Sequence, residues 1–335
     1  MISNTAGKTS TRISVAMCTR NGAAFVSEQV SSILAQTFLP AEIIVSDDSS
    51  TDETVELIRA LVEAHNSSEH NSPVTLRIIV NPVPLGVTKN FEQAINACSS
   101  AVIALSDQDD VWLPNKLEDL FEVLESSRAL LVFSNAELVD GSLRTLGETA
   151  FGALQIRPKE EQELVKSDFK SVFLRRNLAT GATILFRKEL LDFATPFPAS
   201  WLHDEWLAIV ASFQDRVSKT DEVLTLYRQH ETNQVGLRRR TLRHYIGRMI
   251  FPRTERNQIL FNRALDLRDF VFLTMRDSPV LGIVEGKLEH ERVRNTLPIA
   301  RWARIIPVLR EARTGRYSQF GLGFVDALRD IVQPV

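Results

Sequence analysis

The sequence predicts an α/β fold with a mostly parallel central sheet flanked by helices, followed by a helical C-terminal extension. First, short apolar segments alternate with amphipathic helical segments up to about residue 135, as in βαβ units. Second, three of these apolar segments end in polar residues, as strands at the binding edge of an open α/β sheet do. Third, the chain becomes basic and helical in pattern from about residue 237.

The individual elements follow from the spacing of apolar residues and from helix-starting residues. Strands are predicted near 12–18, 42–47, 76–80, 101–106 and 130–135, and helices near 24–36, 53–65, 87–98 and 114–126. The polar stretch 138–178 interrupts the alternation, so we expect loops and a helix there. Further strands are predicted at 181–186 and 223–227, with a helix from 203 to about 213 between them.

The charge distribution predicts two regions, a catalytic domain at 1–236 and a basic, mostly helical region at 237–335. The first carries 20 Lys and Arg against 32 Asp and Glu, and the second carries 19 against 10. Helices are predicted in the second region near 242–250, 255–276, 284–295, 299–313 and 323–332.

The segment 242–250 has an apolar stripe at helical spacing and lies close to Arg238, Arg239, Arg240 and Arg243. A basic amphipathic segment of this kind fits an anionic membrane surface. The alternative is a helical subdomain that packs on the catalytic domain or forms an oligomer contact.

Length and composition are those of a folded protein with a large core. The 335 residues are 44% apolar and 24% charged, which excludes compositional disorder. We expect no membrane-spanning helix and no signal peptide, and we expect Cys18 and Cys98 to be reduced thiols. The protein is therefore predicted to be cytoplasmic, or peripheral on the inner face of the cell membrane if the basic region binds lipid. No zinc-finger spacing, helix-turn-helix pattern or aromatic-rich sheet motif supports a nucleic-acid partner.

An acidic cluster follows the predicted strand 101–106. Asp107, Asp109 and Asp110 are close enough in sequence to repel one another, and that repulsion would raise their pKa values. A divalent cation removes the repulsion, and carboxylate oxygens suit Mg²⁺ or Mn²⁺. The alternative is a solvated turn that caps the next helix.

Two other strand ends are also polar. Asp47 and Asp48 end the strand 42–47, and a cluster of Ser, Thr and Asp then begins a helix. Thr19, Arg20 and Asn21 end the first strand. Because the carboxyl ends of parallel strands meet at one edge of a sheet, all three segments should face one crevice.

The chain resembles the family 2 glycosyltransferases, which have a GT-A fold. The resemblance is carried by five segments in serial order: Thr19-Arg20-Asn21, Ser46 to Asp52, Ser106 to Trp112, His203-Asp204-Glu205-Trp206 and Tyr227-Arg228-Gln229-His230. It covers about residues 12 to 236 and is strongest for the bacterial polysaccharide branch, whose members often transfer rhamnose. It implies a metal-dependent, inverting transfer of a sugar from a nucleotide-sugar to a glycan or lipid-linked glycan. The sugar would be rhamnose carried by dTDP, and the pathway cell-surface polysaccharide synthesis.

The same resemblance implies roles for individual residues. The donor would be bound by Thr19, Arg20, Asn21, Asp48, Lys89, Asn90 and Asp107, and Mg²⁺ or Mn²⁺ by Asp109, Asp107 and His230. Asp48 would accept a hydrogen bond from the nucleobase, or alternatively cap the following helix. Arg20 would pair with phosphate or only cover the sheet end, and Lys89 and Asn90 would lie beside the nucleotide or simply start a helix.

The resemblance also places the general base in the segment 203–206. Asp204 is the candidate, because a carboxylate at a helix N-terminus is stabilised as the anion. Glu205 is the second candidate, and the alternative role for Asp204 is an N-cap.

Two other functions fit some of these features. A nucleotidyltransferase also uses paired acids on a related sheet, although Thr19 to Ala24 is a poor match to its glycine-rich phosphate loop. A non-catalytic protein that binds sugar nucleotides or a membrane surface would lack turnover, which the presence of Asp204 argues against.

Overall fold

A computed structural model describes residues 12–230 and 252–334, which fold into two compact units. Within these residues, the first unit comprises 12–155, 179–197 and 202–230. The second comprises 252–334 together with two segments from the predicted catalytic region, 156–178 and 198–201. The boundary predicted between residues 236 and 237 lies outside the described residues.

The first unit is built on a sheet whose first half is parallel. Its strands are β1 (Ile13–Thr19), β2 (Glu42–Asp47), β3 (Thr75–Val80) and β4 (Val102–Ser106), in the order β3-β2-β1-β4. The helices α1 (Val26–Leu34), α2 (Thr54–Asn66) and α3 (Val87–Ala97) alternate with them. β1, β2 and β4 are almost wholly buried, as their near-continuous apolar runs predict. The register pairs Thr19 with Asp47 and Met17 with Ser106, so the polar strand ends lie at one edge.

The second half of the sheet mixes parallel and antiparallel pairs. Its strands are β5 (Val111–Trp112), β6 (Leu131–Val139), β7 (Thr145–Thr149), β8 (Ile184–Arg187) and β9 (Val217–Arg228). The order continues β4-β8-β6-β9-β5, with β7 beside β6. Only β6 and β9 pair in parallel here. The pairing of β5 with β9 brings the loop after β4 next to the end of β9.

Helices cover the sheet and its binding edge. In the first unit these include α4 (Lys116–Ser127), α5 (Ala150–Leu154), α8 (Leu191–Ala194) and α9 (His203–Phe213). α9 is buried over most of its surface because its residues from Trp206 to Val210 are nearly all apolar. The main core lies between the sheet and its helices, with Ile13, Val15, Val30 and Leu117 among its fully buried members. The predicted α/β fold class is confirmed.

The stretch 138–178 is more regular than the sequence predicts. It holds β7 and the short helices α5, α6 (Pro158–Val165) and α7 (Phe169–Phe173), where loops and one helix were expected. Each element is too short to show a clear apolar period, which is why the sequence pattern misses them.

The second unit is helical. Besides α6 and α7 it contains α10 (Arg253–Thr274), α11 (Val280–Asn295), α12 (Arg301–Arg313), α13 (Arg316–Phe320) and α14 (Phe324–Val332). Its interior includes a buried ionic network in which Arg294 pairs with Asp330 at 2.8 Å and with Glu291 at 3.0 Å. None of the helices described in either unit has the length and apolar character needed to cross a bilayer. The helix predicted at 242–250 falls outside the described residues.

Candidate active site

A cavity of about 450 Å³ lies at the carboxyl ends of β1, β2 and β4 in the first unit. Nine of the eleven predicted site residues line it: Thr19, Arg20, Asn21, Asp48, Asn90, Asp107, Asp109, Asp204 and His230. Lys89 and Glu205 are not among the lining residues. The sheet therefore brings together segments that lie up to about 210 residues apart in the chain.

Hydrogen bonds join the end of β1 and its following loop to the end of β2 and its following loop. Thr19 Oγ1 donates to Asp47 Oδ1 at 2.7 Å, and the Thr51 amide donates to Asn21 Oδ1 at 2.9 Å. Asn21 has a φ of 48°, a left-handed conformation that asparagine adopts more readily than most residues. This bonding fixes the backbone from which Arg20 reaches the cavity.

Gln108 joins the loop after β1 to the acidic loop after β4. Its Oε1 accepts from the Arg20 amide at 2.8 Å, and its Nε2 donates to the Arg20 carbonyl at 3.1 Å. A Cβ on Gly22 would lie 2.2 Å from Gln108 Oε1, so the glycine makes this contact sterically feasible. Sequence reasoning quoted Gln108 within its motif but gave it no role.

Asp48 orders the backbone in front of α3. Its Oδ1 accepts from the Leu85 amide at 2.6 Å, and its Oδ2 accepts from the Gly86 amide at 3.0 Å. The alternative that Asp48 caps α2 is wrong, because the Thr54 amide at the start of α2 donates to Asp52 instead. Asn81 Nδ2 also donates to Asp48 Oδ1, at 3.4 Å. A carboxylate has about four lone-pair sites, so Asp48 keeps one for a donor in the cavity that it lines.

Asn90 and Lys89 are adjacent on α3 and point in different directions, since successive helical residues are about 100° apart. Asn90 lines the cavity and fastens α3 to β2, because its Nδ2 donates to the Ser46 carbonyl at 2.8 Å. Lys89 Nζ instead contacts Glu92 at 2.6 Å and the Phe197 carbonyl at 2.7 Å. The structure therefore does not place the Lys89 ammonium among the residues that face the cavity.

The acidic loop after β4 is partly buried, with Asp110 fully so, and it gathers three carboxylates. Burial raises the pKa of Asp107 to about 7, with the charges of Asp109 and Asp204 adding to the shift. Burial also raises the pKa of Asp110 well above its usual range, and Asp109 adds to that shift. Asp110 does not cap α4, because its Oδ1 accepts from the Arg228 amide at 3.0 Å.

Lys116 supplies a buried positive charge behind this loop. Its Nζ lies 4.0 Å from the centre of the Trp112 ring and donates to Thr225 Oγ1 at 3.0 Å and to the Ala182 carbonyl. Burial lowers the pKa of Lys116 to about 7, while Asp110 and Asp107 act in the opposite direction. Sequence reasoning missed this residue, since a lysine at a helix start is ordinarily solvated.

The end of β9 brings Arg228 and His230 to the acidic loop. His230 Nε2 lies 2.8 Å from Asp109 Oδ2, and its ring is 4.6 Å from that of Phe25. Arg228 is 1% exposed, and it donates to the Asp109 carbonyl and the Gly141 carbonyl, each at 2.6 Å. The resemblance gave His230 a role, whereas the backbone-holding role of Arg228 became visible only in the structure.

The first turn of α9 contains both candidates for the general base, Asp204 and Glu205. Asp204 Oδ2 accepts from the Gly181 amide at 3.1 Å, and Leu202, not Asp204, occupies the N-cap position. Asp204 lines the cavity, while Glu205 beside it does not.

His203 is the least satisfied polar side chain of this cavity. Its ring stacks on Phe91 at 3.7 Å and is 5% exposed. Neither ring nitrogen has a hydrogen-bond partner within the described part of the chain, and burial lowers the His203 pKa to about 3. Sequence reasoning treated His203 only as a neighbour of the base, since no local pattern shows whether an imidazole finds a partner.

The carboxylate oxygens and the imidazole nitrogen that line the cavity suit a divalent cation that a bound ligand also coordinates. Among residues 12–230 and 252–334, no group of three or more His, Cys, Asp or Glu side chains is gathered tightly enough to cage a metal alone. Asp109 and His230 nevertheless meet, and burial together with the charges of Asp109 and Asp204 raises the pKa of Asp107, a shift that a bound cation would oppose. Mg²⁺ is commonly held by one or two carboxylates together with substrate phosphates, which matches this incomplete set.

Comparison with known proteins identifies the family. Residues 14–191, just over half of the chain, match the sequence model of glycosyl transferase family 2. The chain belongs to this family. It is accordingly an enzyme of glycosyl transfer, which excludes the nucleotidyltransferase and non-catalytic alternatives. The family match ends before Asp204 and His230, so these two residues rest on the geometry and on the resemblance of their own segments.

Relatives of this family 2 glycosyltransferase include two bacterial sugar transferases with named donors. It is 28% identical to the dTDP-rhamnosyl transferase RfbG of Shigella flexneri, over 66% of this chain and 73% of that protein. It is 27% identical to the UDP-Glc:alpha-D-GlcNAc-diphosphoundecaprenol beta-1,3-glucosyltransferase WfgD of Escherichia coli, over 39% of this chain and 47% of that protein. An uncharacterized glycosyltransferase of Nostoc is 28% identical, over 66% of each protein. The alignments thus span about half to three quarters of these relatives.

Solved structures confirm the GT-A type of fold for this family 2 glycosyltransferase. The S. aureus TarS 1–349 structure in complex with UDP-GlcNAc covers 95% of this chain and 89% of its own, with a TM-score of 0.52 and 18% identity. Full-length S. aureus TarS gives a TM-score of 0.56 at 13% identity, over 95% of this chain and 54% of its own. At these identities the likeness concerns the fold alone.

Proposed function

We propose that this glycosyltransferase is a cation-dependent, inverting enzyme that moves a sugar from a nucleotide-sugar to a glycan or lipid-linked glycan hydroxyl in cell-surface polysaccharide synthesis. The observation that carries the proposal is that one cavity is lined by the acidic loop with His230 and also by Asp204. Glycosyl transfer needs both a site for the leaving diphosphate and a proton acceptor for the attacking hydroxyl.

The donor nucleotide would lie against the ends of β1 and β2. Asp48 accepts three hydrogen bonds within the protein and would use its remaining lone-pair site for the imide N–H of a pyrimidine base, which uracil and thymine both present. Thr19 and Asn21 would shape the wall, and Arg20 would pair with the diphosphate. Asn90 supports this wall through its bonds to β2.

Asp109, His230 and Asp107 would hold Mg²⁺ or Mn²⁺ together with the diphosphate. A bound cation of this kind neutralises the charge that develops on a departing diphosphate. Arg228 positions Asp109 by holding its backbone carbonyl, and the buried Lys116 offsets part of the negative charge behind the loop.

Asp204 would accept the proton of the acceptor hydroxyl. The hydroxyl oxygen forms a bond to the anomeric carbon while the bond from that carbon to the diphosphate breaks, which inverts the configuration. The Gly181 amide and the N-terminus of α9 both favour the Asp204 anion that this step requires. Glu205 remains the second candidate, although it does not line the cavity.

We propose dTDP-rhamnose as the donor and a diphospholipid-linked glycan as the acceptor. The similarity to the dTDP-rhamnosyl transferase RfbG of Shigella flexneri supports the first, and the similarity to the diphosphoundecaprenol-directed glucosyltransferase WfgD of Escherichia coli supports the second. We further propose that the enzyme acts in the cytoplasm, peripherally attached to the inner face of the membrane. Residues 237–251, whose arginines motivate that attachment, lie outside the described part of the chain.

A donor screen tests the proposal. The full chain is incubated with Mn²⁺, a GlcNAc-diphospholipid acceptor and one donor at a time: dTDP-rhamnose, UDP-glucose, UDP-GlcNAc or GDP-mannose. Acceptor-dependent release of the nucleoside diphosphate and a product of the expected mass should occur with a pyrimidine donor, foremost dTDP-rhamnose. The Asp204→Asn protein provides the background. Turnover with GDP-mannose alone, or equal turnover by both proteins, would overturn the assignment.

A further inference from the structure

Two helices of the second unit expose large apolar side chains. On α12, Trp302 is 79% exposed and Ile306 is 61% exposed, and on α14 Phe324 is 80% exposed. We call the following eight residues the C-terminal apolar surface: Ile299, Trp302, Ile305, Ile306, Leu309, Phe324, Val325 and Leu328. On α12 they recur at the spacing of one helix face, 302, 305, 306 and 309.

The same helices direct charged residues inward. The buried face of α12 carries Arg304 and Glu311, and Arg304 donates to the Pro298 carbonyl at 2.7 Å and to the Gln333 carbonyl at 2.6 Å. The buried face of α14 carries Asp326 and Asp330. Because these charges are held by specific bonds, the helices cannot rotate to bury their apolar faces without leaving ions unpaired.

The charge around the C-terminal apolar surface has one sign. The carboxylates between 299 and 334 are Glu311, Asp326 and Asp330, and each is buried. The exposed charged residues of α12 are Arg301, Arg310 and Arg313. The exposed charged residues of this stretch are therefore all cationic.

We propose that the C-terminal apolar surface docks on an anionic lipid bilayer, with Trp302 and its apolar neighbours among the headgroups and the arginines against lipid phosphates. Tryptophan favours this interface because its ring is apolar and its N–H is polar. In a contact between two copies the same patch would meet itself, which would bring arginine toward arginine with no exposed carboxylate on this stretch to compensate. The docking rests on the proposed function for its purpose, since a diphospholipid-linked acceptor would lie in that bilayer.

Vesicle flotation of the full chain, without donor, tests the docking. Vesicles of phosphatidylcholine with phosphatidylglycerol should carry the protein, whereas vesicles of phosphatidylcholine alone should carry much less. Two double variants, Trp302→Gln with Ile306→Gln and Phe324→Gln with Leu328→Gln, should each weaken binding by about tenfold or more. Leu273→Gln is the matched control, because Leu273 is 80% exposed on α10 and lies outside the surface, and it should bind normally.

Three results would overturn the docking. The first is no flotation of the unchanged protein with anionic vesicles. The second is loss of binding only on changing Arg238, Arg239, Arg240 and Arg243 to Gln, with both double variants unaffected. The third is a self-associated state, measured by light scattering, that the double variants dissociate without affecting flotation. With a water-soluble acceptor, the double variants should turn over the donor as fast as the unchanged protein. Absence of turnover in the unchanged protein itself would count against the proposed function and not against the docking.

Discussion

At the scale of single residues, the polar side chains that line the cavity differ in how many of their hydrogen-bonding sites the backbone occupies. Asn90 is bonded to β2, and Asp48 is bonded to the turn before α3. Asp204 accepts from the Gly181 amide at 3.1 Å and from the Glu205 amide at 2.7 Å and still lines the cavity, and neither ring nitrogen of His203 has a partner within the described residues. Side chains that keep bonding capacity toward the cavity, Asp48 and Asp204 among them, are the ones expected to contact substrate.

The assignment of the base predicts unequal effects for two neighbouring carboxylates. Asp204→Asn should keep the fold and donor binding while turnover falls by about 10² to 10⁴, the usual scale for loss of a general base. Glu205→Gln should reduce turnover much less, because Glu205 does not line the cavity. Single-turnover rates and donor titrations on both variants make the measurement. An inactive Glu205→Gln protein beside an active Asp204→Asn protein would show that the wrong carboxylate was chosen.

The buried His203 should make the folded protein less stable as the pH falls. Burial lowers its pKa from 6.5 to about 3 in the folded protein, so between these values the unfolded state binds the additional proton. Stability should therefore fall with decreasing pH below about 6.5, by up to about 1.4 kcal/mol per pH unit from this residue. His203→Gln should remove that component. Urea unfolding at pH 7.5 and pH 5.0 should show a drop smaller by about 2 kcal/mol in the variant. Equal drops would mean that His203 is solvated in the folded protein.

At the scale of elements, the cavity is made rigid by bonds between loops distant in sequence. Gln108 joins the loop after β4 to the loop after β1, and Arg228 joins the end of β9 to Asp109. The sequence located the three polar strand ends and the segments around Asp204 and His230. It could not assign Gln108, Arg228 or Lys116, because their roles depend on partners 66 to 119 residues away.

Arg228→Met should uncouple β9 from the acidic loop. It removes the charged donor that the carbonyls of Asp109 and Gly141 share, a loss of about 1–3 kcal/mol in unfolding free energy. It should also weaken Mn²⁺ binding, because Asp109 is no longer held in place. Arg216→Met is the control, since Arg216 has a 42% exposed side chain, and it should change stability by less than about 0.5 kcal/mol. Urea unfolding and Mn²⁺ titration calorimetry give the two quantities, and equal effects of the two variants would contradict the role of Arg228.

At the scale of the whole molecule, the sequence predicted the fold class, the acidic first region and the basic helical second region. It did not predict that 156–178 and 198–201 belong to the second unit, because membership of a compact unit depends on long-range contacts. Nor did it predict the C-terminal apolar surface, since helical periodicity marks an apolar face without showing which side is buried. That orientation is decided by the hydrogen bond from the buried Arg304 to the Pro298 carbonyl and by the buried ion pair of Asp330 with Arg294.

The central claim is that Asp109, with Asp107 and His230, makes transfer dependent on a divalent cation. The most direct measurement combines turnover in EDTA, turnover after adding back Mg²⁺ or Mn²⁺, and calorimetric titration of Mn²⁺ with a nucleoside diphosphate. Turnover should vanish in EDTA and return with either cation. Asp109→Ala, shown to be folded by circular dichroism, should lose cation-dependent nucleotide binding. Full turnover in EDTA, or unchanged Mn²⁺-dependent nucleotide binding in Asp109→Ala, would contradict the claim.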